Sequence, residues 1–343
     1  MGRSVVSQTK AVSKVAVITR TKNRTLLLER AIKSVMGQSY NNLLMVIVND
    51  GGDSVHIEKL FEKHKKTING RVQLINNRLS LGMEKAANVG LKNSDSEYIV
   101  VLDDDDTWHP DFLKETVRFL DSSNYQGVVT ATDAVREIIK GNKVEFLSRE
   151  RFLPKVKEIN LYAMCGGNQF PTMSFLFRRK VLKEIGYYDE NAPVLGDWDF
   201  NLRFLRKYDI PFIDKVLSYY HQRYEQSGDM GNSIVAAAGA HKSYNNYLLN
   251  KYLREDLEKG NLGIGFITNL SQKSTTARAE DLTFLNDLIR QATSETHNGI
   301  NTLHERVNGI DERLKNIEAN VLSLIGLRLR KYTIKAINRV KRS

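Results

Sequence analysis

Short apolar runs alternate with amphipathic segments along the first hundred residues of the chain. Apolar residues at helical spacing predict three helices, over residues 25–35, 57–64 and 83–91. Continuous apolar runs predict four buried strands, over residues 15–19, 43–48, 72–75 and 98–102. Strict alternation of strand and helix favours right-handed βαβ crossovers and a parallel sheet with helices on both faces. We therefore expect an α/β fold.

The rest of the chain changes character along its length. Residues 112–220 mix hairpin-like segments with short helical ones, and residues 236–258 have helical spacing. Glycines and polar residues over 260–274 predict a linker. The pattern divides the chain into a globular domain and three further segments. These are a domain over 1–260, a linker and helix over 261–298, a coiled coil over 299–325 and a basic tail over 326–343.

Eight apolar residues form one narrow stripe in the coiled-coil segment. They are Ile300, Leu303, Val307, Ile310, Leu314, Ile317, Val321 and Leu324. The spacing alternates between three and four residues, as in the a/d seam of a coiled coil. Arg306 and Arg313 each precede an acidic residue by five positions, which pairs opposite charges between parallel helices. Isoleucine at d positions favours three or four strands, so we expect a homo-oligomer, with a trimer favoured. Packing of the stripe onto the globular domain is the alternative.

The basic surplus of the chain is concentrated in its last segment. Residues 326–343 carry seven basic residues and no acidic one, while the net charge of the whole chain is +11. A nucleic-acid-binding face across the fold is therefore not expected. Four apolar residues of the tail, Leu327, Ile334, Ile337 and Val340, share one helical face. This composition is typical of a helix on an anionic membrane surface, and a disordered basic tail is the alternative.

Composition also bears on the compartment. The single cysteine, Cys165, excludes a disulfide within the chain, which favours a reducing environment. The N-terminal residues lack the apolar core of a signal peptide, and no stretch approaches eighteen apolar residues. We expect a cytoplasmic protein located peripherally at the inner face of the membrane.

Acidic residues follow two of the predicted strands. Asp50 follows the second strand, and four consecutive aspartates at 103–106 follow the fourth. Ligands of open parallel sheets bind beyond the carboxyl ends of the strands. Adjacent carboxylates repel one another unless a cation or solvent relieves them, and Mg²⁺ or Mn²⁺ with substrate phosphates suits such oxygen ligands. The alternative is a solvated acidic turn that caps the next helix.

Several motifs together resemble family 2 glycosyltransferases of the GT-A fold. They are VITRTKNR, VIVNDGGD, NNRLSLGMEKAANVGL, YIVVLDDDDTWHPDFL and FLFRRKVLKEIGYYDENAPVLGDWDFNLRFL, in that order. The resemblance covers about Val15 to Arg223. It implies a GT-A fold with a Rossmann-like nucleotide-binding sheet, followed here by C-terminal helices and a parallel coiled coil.

The resemblance also implies roles for residues on the donor side. Thr19 and Arg20 should border the nucleotide, and Asp50 should bind its base or ribose. Gly82 and Asn88 match a loop near the donor. The family often has arginine just before that asparagine, and since Ala87 stands there, Lys85 is expected to replace it.

The aspartate run matches the family's Asp-x-Asp motif. The resemblance implies that Asp103 lies near the ribose and the metal, that Asp104 occupies the variable position in the nucleotide site and that Asp105 is the principal metal ligand. Asp106 is expected to cap the following helix. A late histidine completes the metal shell in many GT-A enzymes, and His221 is the candidate here; a purely structural histidine is the alternative.

A second acidic motif marks the acceptor side. The resemblance places the catalytic base at Asp197, with Asp199 as second choice, and Arg223 near the diphosphate. A carboxylate within hydrogen-bond reach can take the acceptor proton. The family often has glutamate before this aspartate, whereas Gly196 stands here.

The resemblance implies transfer, with inversion, of a sugar from a nucleotide-sugar donor, by family habit a UDP-sugar. The acceptor would be a glycan or glycolipid in bacterial surface polysaccharide or glycolipid assembly. A nucleotidyltransferase of related fold is one alternative, but residues 19–25 contain no glycine for its phosphate loop. A non-enzymatic membrane-associated scaffold is another, and it gives no reason for the positions of the aspartates.

Overall fold

The computed structural model describes residues 13–224, 226, 228–231, 238–260 and 263–340. The chain divides into two compact units, residues 1–274 and 275–343. All strands named below and the cavity lie in the first unit.

The described part of the first unit contains a mixed sheet of nine strands. They are β1 (Val15–Thr21), β2 (Leu43–Asp50), β3 (Val72–Asn77), β4 (Tyr98–Val101), β5 (Thr107–Trp108), β6 (Gly127–Lys140), β7 (Lys143–Arg151), β8 (Phe175–Arg178) and β9 (Phe212–Gln222). Their order is β3-β2-β1-β4-β8-β6-β9-β5, with β7 paired to β6. The first four strands are parallel, as expected, whereas β8 is antiparallel to both β4 and β6.

The described residues also form ten α-helices, and apolar residues on both faces of the sheet pack against several of them. The helices are α1 (Thr25–Met36), α2 (Ser54–Lys63), α3 (Lys65–Ile68), α4 (Met83–Lys92), α5 (Phe112–Asp121), α6 (Leu161–Gly166), α7 (Leu182–Ile185), α8 (Gly196–Leu205), α9 (Ala238–Glu258) and α10 (Ile264–Val340). Successive residues of β1 enter opposite cores: Ile18 packs with residues of α4 and α8, and Val17 with residues of α1 and α5. This alternation explains why β1 is a continuous apolar run.

Close approach of α4 to the sheet requires a glycine. A Cβ on Gly90 would lie 2.5 Å from Cγ2 of Ile18, well inside contact distance. The absence of a side chain at this position lets α4 pack directly against Ile18 of β1 and Val48 of β2.

The segment expected to be a linker is largely helical. From Ile264 onward it forms the start of α10, and Ile264 and Thr268 are buried. The Asp256 carboxylate accepts hydrogen bonds from the backbone N–H groups of Gly263 and Phe266, at 3.0 and 2.9 Å. Burial of the apolar helical face and this cap outweigh the low helix propensity of Gly265.

Helix α10 continues through the second unit. The first six residues of the apolar stripe, Ile300 to Ile317, have side chains that are 54–60% exposed. The structure describes the backbone of Val321, of Leu324 and of the apolar positions expected in the tail, but these side chains lie outside what it describes. Among the helices that the structure describes, none has the length and apolar character needed to cross a bilayer.

Candidate active site

A cavity of about 470 Å³ opens at the carboxyl ends of β1, β2 and β4. This is the edge at which open α/β sheets bind ligands. Polar residues from several elements line it, and these are Arg20, Thr21, Lys22, Arg24, Asp50, Ser80, Glu84, Asp103, Asp104, Asp105, Asp106, Asn168, Thr172, Asp197, Tyr220 and His241. The acidic residues expected on the donor and acceptor sides therefore share one cavity.

Asp50 organises the loop that precedes α4. Its carboxylate accepts hydrogen bonds from the Ser80 hydroxyl at 2.9 Å and from the backbone N–H groups of Leu81 and Gly82 at 2.9–3.0 Å. Burial alone would raise the pKa of Asp50, but these donors, with the Asn77 amide, outweigh burial and lower it. Asp50 is thus an ionised acceptor at the cavity edge.

Arginines from β1 and the turn after it neutralise the first aspartates of the run. Arg20 donates to Asp103 through Nη2 at 2.7 Å and through Nε at 3.1 Å. Arg24 lies 3.2 Å from Asp104, which also accepts from the Thr21 hydroxyl at 2.7 Å. Burial raises the pKa of Asp104 to about 7 despite the charge of Arg24.

Asp105 is the most strongly paired member of the run. It forms ion pairs with Arg24 and with Arg223, whose side chain is fully buried. Burial would raise the pKa of Asp105, but the two guanidinium groups outweigh burial and lower it. Arg223 also donates to Glu137 of β6 at 2.6 Å, so one guanidinium joins the strand ends of β4, β6 and β9.

Glu137 was not recognised in the sequence, although a glutamate within an apolar strand is an unusual signal. Its carboxylate accepts from Arg30 at 2.6 Å and contacts Nδ1 of His221 at 2.7 Å. Burial would raise the pKa of Glu137, but His221 and Arg30 lower it to about 2. The other ring nitrogen of His221 contacts the Thr107 hydroxyl at 2.8 Å.

Asp106 does not cap the following helix, so that expectation was wrong. Its carboxylate accepts from the backbone N–H of His221 at 2.9 Å, and α5 begins only at Phe112. Burial and the neighbouring Asp105 raise the pKa of Asp106 well above its usual range.

Asp197 lies in the first turn of α8 and faces the cavity from the opposite side. Oδ2 accepts from the Asn168 amide at 2.8 Å and from the Thr172 hydroxyl at 3.2 Å. Burial raises the pKa of Asp197 above the usual value despite these donors. Asp199 is instead buried against the Tyr252 hydroxyl, at 2.6 Å, and Arg203. Of these two aspartates, Asp197 lines the cavity and Asp199 does not.

Not every expected residue lies on the cavity wall. In the described structure, Thr19, Lys85, Asn88, His221 and Arg223 are not among the lining residues. Asn88 is a core residue whose amide and carbonyl groups bond the backbone of Tyr188, at 2.9 and 3.1 Å. Asn88 therefore stabilises the packing of α4 against the segment that contains Tyr188. The expected contact of Asn88 with the donor would require these hydrogen bonds to break.

Two further lining residues were missed in the sequence. Glu84 is 5% exposed and extends from the first turn of α4 into the cavity. Burial raises the pKa of Glu84 to about 7, against the charge of Arg20. His241 of α9 has a buried Nε2 for which the described residues provide no hydrogen-bond partner.

The donor set suits a divalent cation in part. Asp103 and Asp105 offer the hard carboxylate oxygens that Mg²⁺ and Mn²⁺ prefer, and Asp105 remains ionised. Within the described residues, however, no group of three or more His, Cys, Asp or Glu side chains is arranged to hold a metal. The arginines that pair with Asp105 supply the counter-charge in this arrangement.

Family and sequence comparisons match this chain to glycosyltransferases. Residues 16–186 match the family model for glycosyl transferase family 2. An uncharacterized glycosyltransferase of Rickettsia conorii is 25% identical over 317 residues, which cover 88% of this chain and 50% of the relative. One from Haemophilus influenzae is 29% identical over 125 residues, covering 36% of this chain and 37% of the relative. The chain spans about a third to a half of the length of such relatives.

The fold is also shared with a solved structure. S. aureus TarS 1–349 in complex with UDP-GlcNAc is 20% identical, with a TM-score of 0.51, over 63% of this chain and 60% of that one. The mixed α/β sheet with helices on both faces fits the expected GT-A fold.

The buried ion pairs of Arg223 should dominate the stability of this edge. Arg223→Met would leave Asp105 and Glu137 buried without it, at an expected cost of about 3–5 kcal/mol in the free energy of unfolding. The control Lys140→Met removes an exposed pair with Glu145 and should cost about 0–1 kcal/mol. Urea unfolding followed by tryptophan fluorescence reports the first unit, where both tryptophans lie. Equal losses in the two variants would contradict this account.

Proposed function

We propose that this chain, whose residues 16–186 match the family model for glycosyl transferase family 2, transfers a sugar from a nucleotide-sugar donor to an acceptor hydroxyl with inversion. One observation carries the proposal. A single cavity holds Asp50 and Asp103 at the strand ends and, across from them, the partly buried carboxylate of Asp197. Asp50 suits the hydroxyl or N–H groups of a nucleoside, and Asp103 suits a cation shared with the diphosphate. The Asp197 carboxylate suits removal of the proton from the acceptor hydroxyl.

The donor half of the cavity would bind the nucleotide. Asp50 is an ionised acceptor for ribose hydroxyls or base N–H groups, and Arg20 lies beside Asp103 with its guanidinium partly exposed to the cavity. We infer a UDP-sugar, which is supported by the UDP-GlcNAc complex of the TarS structure. The glycan or glycolipid acceptor would enter on the side of Asn168 and Thr172.

The chemistry requires one displacement at the anomeric carbon. The Asp197 carboxylate takes the proton of the acceptor hydroxyl as its oxygen forms the new bond to that carbon. The bond from the same carbon to the nucleoside diphosphate breaks, and the leaving group carries away the electron pair. A single displacement of this kind inverts the configuration.

We further propose that a divalent cation is held by Asp105 and Asp103. Mn²⁺ or Mg²⁺, when bound, supplies Lewis-acid charge to the diphosphate leaving group. Arg24, whose side chain is 19% exposed, would have to release Asp105 for that purpose, whereas Arg223 is fully buried. His221 could join only by giving up its bond to Thr107.

The second unit would serve location and assembly. The exposed stripe of α10 and the charge pattern beside it support a parallel homo-oligomer, with a trimer favoured. The basic tail supports attachment to an anionic membrane surface at its inner, cytoplasmic face. A lipid-linked acceptor would give this attachment a purpose.

Replacement of the base should separate chemistry from binding. Asp197→Asn is expected to lower sugar transfer by about 10²–10⁴-fold, because the asparagine amide cannot take the proton from the attacking hydroxyl. Binding of UDP should stay within about two-fold, since Asp197 lies across the cavity from Asp50. Near-normal turnover by this variant would move the base to another residue.

The pH profile gives a control for the same assignment. The kcat/KM should fall at acidic pH as Asp197 becomes protonated, at a pH above the ordinary aspartate range because burial raises its pKa. Thr172→Val removes a hydrogen bond to the ionised carboxylate, so it should move this acid limb to higher pH. An unchanged limb in the valine variant would argue that another group titrates.

Metal dependence can be tested by removal. Excess EDTA should abolish transfer, and added Mn²⁺ or Mg²⁺ should restore it, because two carboxylates and a diphosphate need a shared counter-charge. Asp105→Ala should remove the restoration by metal while circular dichroism shows a retained fold. Full turnover in EDTA would show that the arginines suffice.

The stripe of α10 should set the oligomeric state. Aspartate at both Ile310 and Ile317 is expected to give monomers, because charge buried in the seam is costly. As the control, Asn308→Asp together with Asn316→Asp adds the same charge outside the seam and should leave the multimer intact. Light scattering distinguishes the two pairs. A multimer that persists in the first variant would place the interface elsewhere.

A further inference from the structure

The carboxyl group of Glu84 and the residue at position 196 compete for the same space. A Cβ on Gly196 would lie 2.4 Å from Cδ and 2.6 Å from Cγ and Oε1 of Glu84. Any side chain at position 196 would therefore displace this carboxyl group. Gly196 is the first residue of α8 and precedes Asp197 in the chain. Because it has no side chain, it leaves room for the Glu84 carboxylate, which comes from α4.

Glu84 contacts the donor side of the cavity through Arg20. Its Oε2 lies 3.5 Å from Nη1 of Arg20, while Nη2 and Nε of the same guanidinium bond Asp103 at 2.7 and 3.1 Å. The Arg20 side chain is only 13% exposed. Two carboxylates from different elements thus fix one guanidinium at the cavity wall.

Stability alone does not account for a buried glutamate at this position. Burial raises the pKa of Glu84, with Arg20 opposing and Asp197 and Asp103 adding to the rise. Well-packed apolar residues are often as stabilising as a buried ion pair, or more so. A costly carboxylate in a cavity already rich in carboxylates indicates a functional constraint.

We propose that Glu84 is a positioning residue of the transfer site, which holds the Arg20 guanidinium against Asp103 to meet the donor diphosphate, and that Gly196 is the space this requires. The inference rests on the proposed function. It adds a residue that the displacement described above does not use.

The first test removes the charge with little change of shape. Glu84→Gln should weaken UDP binding about 10-fold and lower kcat/KM for sugar transfer by about 10²-fold, the typical effect of displacing a positioned group by about 1 Å. Arg20→Gln should give a similar loss, and adding Glu84→Gln to it should cost little more, because both act through one contact. Wild-type binding and turnover in Glu84→Gln would overturn the proposal.

The second test moves the carboxylate from one element to the other. Glu84→Ala frees the space beside position 196, and combining it with Gly196→Glu returns a carboxylate to that space from α8. This double variant should recover at least about ten-fold of the lost kcat/KM, whereas Glu84→Ala with Gly196→Gln fills the same space without charge and should not. Equal recovery in the two double variants would show that Glu84 only fills space.

Controls separate the possible failures. Thermal unfolding identifies variants that do not fold, and the nearly isosteric Glu84→Gln decides the matter if both double variants unfold. If the wild-type chain neither binds UDP nor turns over any nucleotide sugar in a panel, the proposed function fails. If the wild type is active and Glu84→Gln matches it, only this inference fails.

Discussion

Ion pairs between the buried guanidinium of Arg223 and the carboxylates of Asp105 and Glu137 join the strand ends of β4, β6 and β9. None of these charges could be buried alone without a penalty of several kcal/mol. Strands β6 and β9, which lie beyond the antiparallel β8, are therefore tied electrostatically to the first four strands at the edge where the cavity opens. The aspartate run takes its shape from this constraint, because Asp105 cannot leave without exposing or unpairing its partners.

The same constraint divides the carboxylates into groups with different protonation. Guanidinium partners lower the pKa of Asp105, whereas burial raises that of Asp104 to about 7. Across the cavity, burial raises the pKa of Asp197. One wall thus carries an ionised carboxylate that suits a cation or phosphate counter-charge, and the other a carboxylate that suits proton uptake.

Glu84 lies between these two walls and contacts Arg20 on the donor side. The glycine at 196 joins the two walls in another way, since it allows α8 to bring Asp197 close to α4. In the sequence, Gly196 is a departure from the family motif, which often has glutamate before the aspartate. In the structure it is a steric requirement of a side chain more than a hundred positions earlier, which no local pattern reveals.

Local patterns predicted the first half of the fold, because strands and helices alternate strictly there and such alternation implies a parallel sheet. The parallel strands β1 to β4 and the cavity positions of Asp50, Asp103 and Asp105 follow from apolar runs that end in acidic residues. Pairings between distant segments could not be predicted in the same way. They include the antiparallel insertion of β8 and the partners of Arg24 and Arg30.

Two errors have local physical causes. Aspartate is a good helix-capping residue, but the carboxylate of Asp106 accepts a hydrogen bond from the backbone N–H of His221 on β9 instead. Residues 260–274 contain three glycines, yet burial of Ile264 makes the segment helical from that residue onward. In both cases a long-range contact outweighs a local preference.

A crystal structure with UDP and Mn²⁺ tests the central claim most directly, namely that the arginine-held aspartates at this edge receive a nucleoside diphosphate. The account predicts uridine at Asp50, the diphosphate beside Arg20, and Mn²⁺ on Asp105 with Arg24 withdrawn and Arg223 still paired to Glu137. UDP bound at another place, or bound here with Asp105 still paired to both arginines and no metal, would contradict it.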